Sequence, residues 1–107
     1  MKALNGLFNI LIDVVLFFGD KNIAILIPCH NEAETVKQVV TDFISEFQSA
    51  LVYVYDNCST DNTQQIARDA GAIVRIENSK GKGNVVRRMF ADVEADFYIL
   101  VDGDHTY

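Results

Sequence analysis

Four short apolar runs recur along this chain: IAILI at 23–27, LVYVY at 51–55, AIVRI at 72–76 and FYILV at 97–101. Each has the length of a strand and is rich in Ile, Val or aromatic residues. Continuous apolar runs of this kind belong to strands buried on both faces, as in a parallel sheet. Between the runs the period changes. Val36, Val39, Val40, Phe43, Ile44 and Phe47 recur at helical spacing and form one stripe. Asn31 with Glu34 three residues later predicts a capping box for that helix, and Pro28 predicts the end of the first strand. A second helix is expected from about Asp61 to Ala70, stopped by Gly71. Val85, Val86, Met89, Phe90 and Val93 mark the apolar side of a third. Strands alternating with helices imply right-handed crossovers and an α/β fold, a Rossmann-like parallel sheet with helices on both faces.

A chain of 107 residues has room for one such domain, and residues 21–107 supply it. Residues 1–20 read differently. The segment 3–18, ALNGLFNILIDVVLFF, falls short of the roughly 20 residues that span a bilayer, and no A-x-A cleavage site follows it. Asn5, Asn9 and Asp13 fall every four residues and would line one side of an amphipathic helix. That side lacks the Lys and Arg of a membrane binder, so packing against protein is the expectation.

The net charge of −6 argues against nucleic acid as a partner, because phosphate backbones need a basic face. Yet Lys80, Lys82, Arg87 and Arg88 crowd into one short stretch. A local basic cluster in an acidic protein suits a small anionic ligand. Cys29 and Cys58 match no zinc or redox spacing and read as free thiols in a reducing, cytoplasmic setting.

In open α/β sheets, ligands bind beyond the carboxyl ends of the strands. The polar clusters lie there: 28–32, 56–63, 77–84 and 102–105. Asp102-Gly103-Asp104 sets two carboxylates at i and i+2 after a buried strand, an arrangement able to share one hard divalent cation with a diphosphate. Asp56 ends its strand too early to cap the next helix and is expected to be free for a ligand, whereas Ser59 or Asp61 serves capping. Lys80-Gly81-Lys82-Gly83-Asn84 is not a P-loop, but glycines and cations at a helix N-terminus suit an anion. His30 taken alone reads as a surface histidine. No G-x-G-x-x-G follows the first strand, which removes the main support for a dinucleotide fold.

Taken together, PCHNE at 28–32, DNCSTDNT at 56–63, GKGNVVR at 81–87 and DGD at 102–104 resemble, in content and order, the family 2 glycosyltransferases. The resemblance covers residues 23–107. DGDHTY at 102–107 is most similar to the branch that transfers sugars to polyprenyl phosphates, the dolichyl-phosphate mannosyltransferase-like enzymes. The resemblance implies a GT-A fold and a UDP- or GDP-linked sugar as donor. It implies that Pro28, Asn31 and Glu32 line the nucleotide pocket and that Asp56 accepts a hydrogen bond from the base. Lys82 and Arg87 would lie near the ribose and phosphates, and Asp102 and Asp104 would hold Mg²⁺ or Mn²⁺ on the diphosphate.

Two departures stand out. Asn57 occupies the place of the family's usual second acidic residue, and the sequence stops at Tyr107. In the family, the acceptor pocket and the carboxylate base lie downstream, so no catalytic base is assigned and a truncated donor-binding half is expected. A polyprenyl phosphate acceptor at the inner face of the membrane would need no base, its oxygen being already ionised. The resemblance also implies a strand order of third, second, first, fourth, with further strands beyond. Ending at Tyr107 would leave one edge of FYILV open and favour self-association there. The alternative from another class is a non-catalytic nucleotide-binding or interaction module, a short paralogue or truncated gene product.

Overall fold

A computed structural model describes residues 22–101; the expected N-terminal helix and the Asp102-Gly103-Asp104 segment lie outside the described residues. The first strand, β1 (Ile23–Cys29), is buried at every position and sits at the centre of the molecule. It is followed by α1 (Val36–Glu46), β2 (Leu51–Asp56), α2 (Thr63–Asp69), β3 (Ile73–Ile76), α3 (Lys82–Asp92) and β4 (Phe97–Leu100). All pairings are parallel, and the order across the sheet is β3-β2-β1-β4. That is the order the resemblance implied.

Successive side chains of a strand point to opposite faces, and here the two sets meet different helices. Ile23, Ile25 and Ile27 of β1, with Val52 and Val54 of β2, pack against Val36, Val39, Val40 and Phe43 of α1 and Ala67 of α2. Ala24 and Leu26, with Tyr53 and Tyr55, meet Val85, Met89 and Val93 around α3. Helices therefore cover both faces. The apolar stripe read from the sequence of α1 is the buried one, with Ile44 at its margin.

Several local expectations change. Pro28 does not end β1, which continues through Cys29. Backbone groups alternate between the two neighbours: the Leu26 carbonyl accepts from Val101 on the β4 side, and the Cys29 carbonyl from Asn57 on the β2 side. Pro28 thus turns its missing N–H toward the β4 side, where the pairing has already stopped at Leu100. Asn31 and Glu34 form no capping box. Helix α1 starts later, behind Thr35, with no side-chain cap. Phe90 is not core either: it is 48% exposed and meets Tyr98 edge-on at 5.0 Å between centroids. Phe90 lies one residue past the buried Met89, about 100° around the helix, and so falls at the edge of the buried stripe against Tyr98 of β4.

A polar brace ties α3 to the sheet. The buried Tyr55 hydroxyl donates to Asp92 at 3.0 Å, and Arg88 Nε donates to the same carboxylate at 2.7 Å. Arg88 also reaches the Glu77 carboxylate at 3.4 Å. Burial, and then the bond to Asp92, push the Tyr55 hydroxyl up to about 12. The Arg88 bond holds the Asp92 carboxyl below its ordinary range.

Two glycines yield opposite expectations. Gly71 stops α2 at φ 108°, and an added Cβ would lie 3.0 Å from Ile44 Cδ1. Gly83 lies in the first turn of α3 with open space around it. Gly71→Ala should lower stability by about 1–2 kcal/mol, while Gly83→Ala should raise it by roughly 0.5–1 kcal/mol. Urea unfolding of both variants checks this contrast.

Candidate functional site

Parallel pairing brings the carboxyl ends of β1 and β2 to one edge, and the register sets Cys29 opposite Asp56. The two loops that follow are laced together by a repeated device. The Asn31 N–H donates to Ser59 Oγ at 2.8 Å, and Ser59 Oγ donates in turn to the Asp56 carboxylate. The Glu32 N–H donates to Thr63 Oγ1 at 2.9 Å, and Thr63 Oγ1 donates to the Asp61 carboxylate. Each relay runs from amide to hydroxyl to carboxylate, which uses a hydroxyl's ability to accept and donate at once. Asp61 also takes the Ala33 N–H at 3.2 Å and the Thr63 N–H at 3.0 Å. Asn31 stands at φ 53°, and its side-chain oxygen accepts from the Thr60 N–H at 2.8 Å. The spacing of Asp, Ser, Asp and Thr in this cluster is therefore what rigidifies the loop.

The relays revise two expectations. Asp56 is fully buried, and its carboxylate accepts from Ser59 and from Gln64 Nε2 at 2.9 Å. It therefore supports the loop as well as ending the strand, and is not the unengaged carboxylate expected. Ser59 serves Asp56 and not the helix, while Asp61 bonds the first amide of α2 as expected.

Sequence reasoning passed over the residue with the most connections. Asn57 is 7% exposed. Its Nδ2 donates to the Glu77 carbonyl at 2.8 Å and the Ser79 carbonyl at 2.9 Å, and its Oδ1 accepts from the Gly81 N–H at 2.9 Å. Its own carbonyl accepts from His30 Nδ1 at 2.6 Å. That bond fixes the tautomer, since a carbonyl can only accept: in the neutral ring, Nδ1 carries the proton and Nε2 is an acceptor. The available signal was the change of residue type from an acid to an amide, which adds two donors.

Between these loops and the start of α3 lies a cavity of about 370 Å³. Pro28 lines it from β1, His30 and Glu32 from the loop that follows, Asn57 from just beyond β2, and Lys80 and Lys82 from the entrance of α3. Gly81, at φ 122°, turns the chain into that helix, whose leading amides favour an anion. The lining thus combines apolar Pro28, Cys29 and Val85 with the two lysines and the Glu32 carboxylate.

Of the residues singled out from the sequence, Pro28, Glu32 and Lys82 line this cavity. Asn31 borders a neighbouring hollow of about 240 Å³ with Glu34 and Asp61. Arg87 does not reach the cavity: it is exposed on α3, two residues past the buried Val85 and so about 200° around the helix. Arg88, from the same basic cluster, is engaged by Glu77 and Asp92. Asp102 and Asp104 lie outside the described residues; the described chain leaves the sheet at Val101, whose N–H bonds the Leu26 carbonyl at 2.9 Å. Both cysteines are free thiols.

An open parallel sheet with a polar cavity at its strand carboxyl ends defines a ligand-binding α/β protein of the doubly wound class. The sequence model of glycosyl transferase family 2 matches residues 24–107, and the chain belongs to that family. It is 57% identical over 86 residues to protein RfbJ of Shigella flexneri, an alignment covering 80% of this chain and 67% of that protein. It is 43% identical over 86 residues to glycosyltransferase AglJ of Haloferax volcanii, covering 79% of this chain but 28% of that protein. Glucosyl-3-phosphoglycerate synthase of Mycobacterium tuberculosis shares the fold at a TM-score of 0.76 and 23% identity, over 86% of this chain and 37% of that one. A second structure of that enzyme, in complex with Mn²⁺, UDP and phosphoglyceric acid, aligns at 27% identity and a TM-score of 0.71, over 79% of this chain and 34% of that one. The fold is GT-A, and the chain spans about a third of these solved structures' length.

The relay through Asp61 carries a pH dependence. The Thr63 hydroxyl, above all, holds the Asp61 carboxyl below its ordinary range. A depressed carboxyl stabilises the fold fully above its unfolded pKa, about 4, and loses that contribution as pH falls through the lower folded value. Asp61→Asn should therefore be less stable than wild type at neutral pH, with the gap narrowing as pH falls below about 4. Thermal melts across that range measure the convergence.

Proposed function

We propose that the cavity receives the nucleotide of a nucleotide-diphosphate sugar, UDP- or GDP-linked, as donor for glycosyl transfer. The observation that carries this reading is the juxtaposition of Lys80, Lys82 and the entrance of α3 with the carboxyl ends of β1 and β2. A flat base suits the apolar lining at Pro28 and Val85, and the diphosphate suits the lysines and the helix amides. The related synthase bound to UDP supports the reading.

Divalent metal belongs to the same proposal. Among the described residues, no group of three or more His, Cys, Asp or Glu could hold an ion. Mg²⁺ or Mn²⁺ would therefore rely on Asp102 and Asp104, with diphosphate oxygens and water completing the shell. The departure of the chain at Val101, bonded to β1 two residues before Pro28, is compatible with that arrangement. When bound, the ion supplies charge neutralisation for the departing nucleotide diphosphate. The chain's own residues bind and orient: Lys80 and Lys82 attract the anion, and Asn57 and His30 shape the wall. For the acceptor we propose a polyprenyl phosphate at the inner face of the membrane, on the strength of DGDHTY at 102–107. No helix among the described residues is long and apolar enough to cross a membrane.

Calorimetry with UDP and GDP, with and without Mn²⁺, tests the donor and the metal together. Binding should be tighter with Mn²⁺, and the double variant Asp102→Ala, Asp104→Ala should lose that gain. Equal affinity of wild type and double variant in Mn²⁺ would remove the metal assignment. Transfer of radiolabelled sugar to a polyprenyl phosphate separates a transferase from the alternative, a module that binds nucleotide without chemistry.

A further inference from the structure

Asn57 makes more of the site than its own lining surface. The backbone bond from the Glu77 N–H to the Asp56 carbonyl and the Cys58 thiol reach only residues 77 and 78, whereas the Asn57 carboxamide joins the end of β2 to the segment 77–81 as far as Gly81, through two carbonyls and one N–H. That segment carries Lys80 and leads directly into Lys82 and the first turn of α3. Gly81 has no Cβ and stands at φ 122°, so little in its own side chain or backbone preference fixes the turn. Asn84 Nδ2 holds the Lys80 carbonyl from within α3, and the buried Asn57 amide ties the same segment across to the end of β2.

We infer that Asn57 is a positioning residue for the diphosphate: it holds the Lys80–Lys82 wall against the cavity, and so sets affinity for the phosphates and not for the base. The inference rests on the nucleotide reading of the cavity given above. Only a carboxamide meets the demand. Two carbonyl oxygens at 2.8 and 2.9 Å require donors, and the Gly81 N–H at 2.9 Å requires an acceptor. A carboxylate there would face two carbonyl oxygens with no proton to share, in a place only 7% exposed. The segment would then move away to relieve the repulsion, taking the lysines with it. His30 would keep its bond, because that bond goes to the Asn57 main-chain carbonyl, which substitution leaves in place.

The test compares UDP with uridine by calorimetry on the full 107-residue chain. Wild type should prefer UDP. Asn57→Asp should lose UDP affinity by roughly ten- to a hundredfold, the worth of one or two charge-assisted hydrogen bonds, with uridine affinity unchanged. Asn57→Ala, which removes the clamp without adding a charge, should give the same pattern. Limited trypsin digestion supplies a readout that needs no ligand: cleavage after Lys80 and Lys82 should be faster in both variants than in wild type. A variant that keeps the UDP preference overturns the positioning role, and so does an equal loss of both ligands, the mark of a merely structural effect. Wild type without affinity for UDP would sink the nucleotide reading itself. In that case, unchanged cleavage at the two lysines would sink the clamp as well.

Discussion

Burial of β1 on both faces and along both edges is the constraint on which the rest of the structure depends. Its seven residues are all buried, so its side chains must divide between two helical layers, and its backbone must find partners in β2 and β4. Because all four strands are parallel, their carboxyl ends share one edge, and the helices return the chain to the opposite edge. The polar loops have nowhere else to gather. The cavity at that edge follows from the topology, before any side chain within it is considered.

What the topology brings together, hydrogen bonds then hold. The loops after β1 and β2 are irregular, and their amides would be left without partners near the core. Ser59 and Thr63 meet that need by passing each amide's hydrogen bond on to Asp56 and Asp61. Asn57 does the same for the loop after β3. Asp56 and Asp61 are thus taken up as loop supports, while Lys80 and Lys82 stand at the cavity beside Glu32. An acidic chain acquires a cationic wall in this way, and the wall opposes the net charge of −6 only locally.

The elements and their order could be read from the sequence because they rest on periodicity, and periodicity records burial. The stripe from Val36 to Phe47 and the four apolar runs are direct consequences of the two-faced core. The location of the site was equally legible, since it follows from strand direction. Local spacing could not reveal partners distant in sequence. Asn31 looked like half of a capping box with Glu34, but its partner is the Thr60 amide, 29 residues away. Asp56 looked free because it caps no helix, yet Ser59, three residues on, and Gln64, on the next helix, both bond its carboxylate. Pro28 looked like a strand terminator because the side to which its nitrogen turns cannot be known before the register is. Arg87 was grouped with its basic neighbours by proximity in sequence, whereas the helix turns it away from the cavity.

We propose above all that a nucleotide diphosphate binds at this edge of the sheet. An NMR titration of the ¹⁵N-labelled chain with UDP tests it most directly, because each amide reports its own surroundings. The largest shifts should fall on Cys29, His30, Asn57, Gly81 and Lys82, the amides around the cavity, with Ile66, Arg68 and Asp69 of α2 little changed. Shifts concentrated on α2, on the exposed Phe90 and Tyr98 of α3 and β4, or on no amide at all would contradict it.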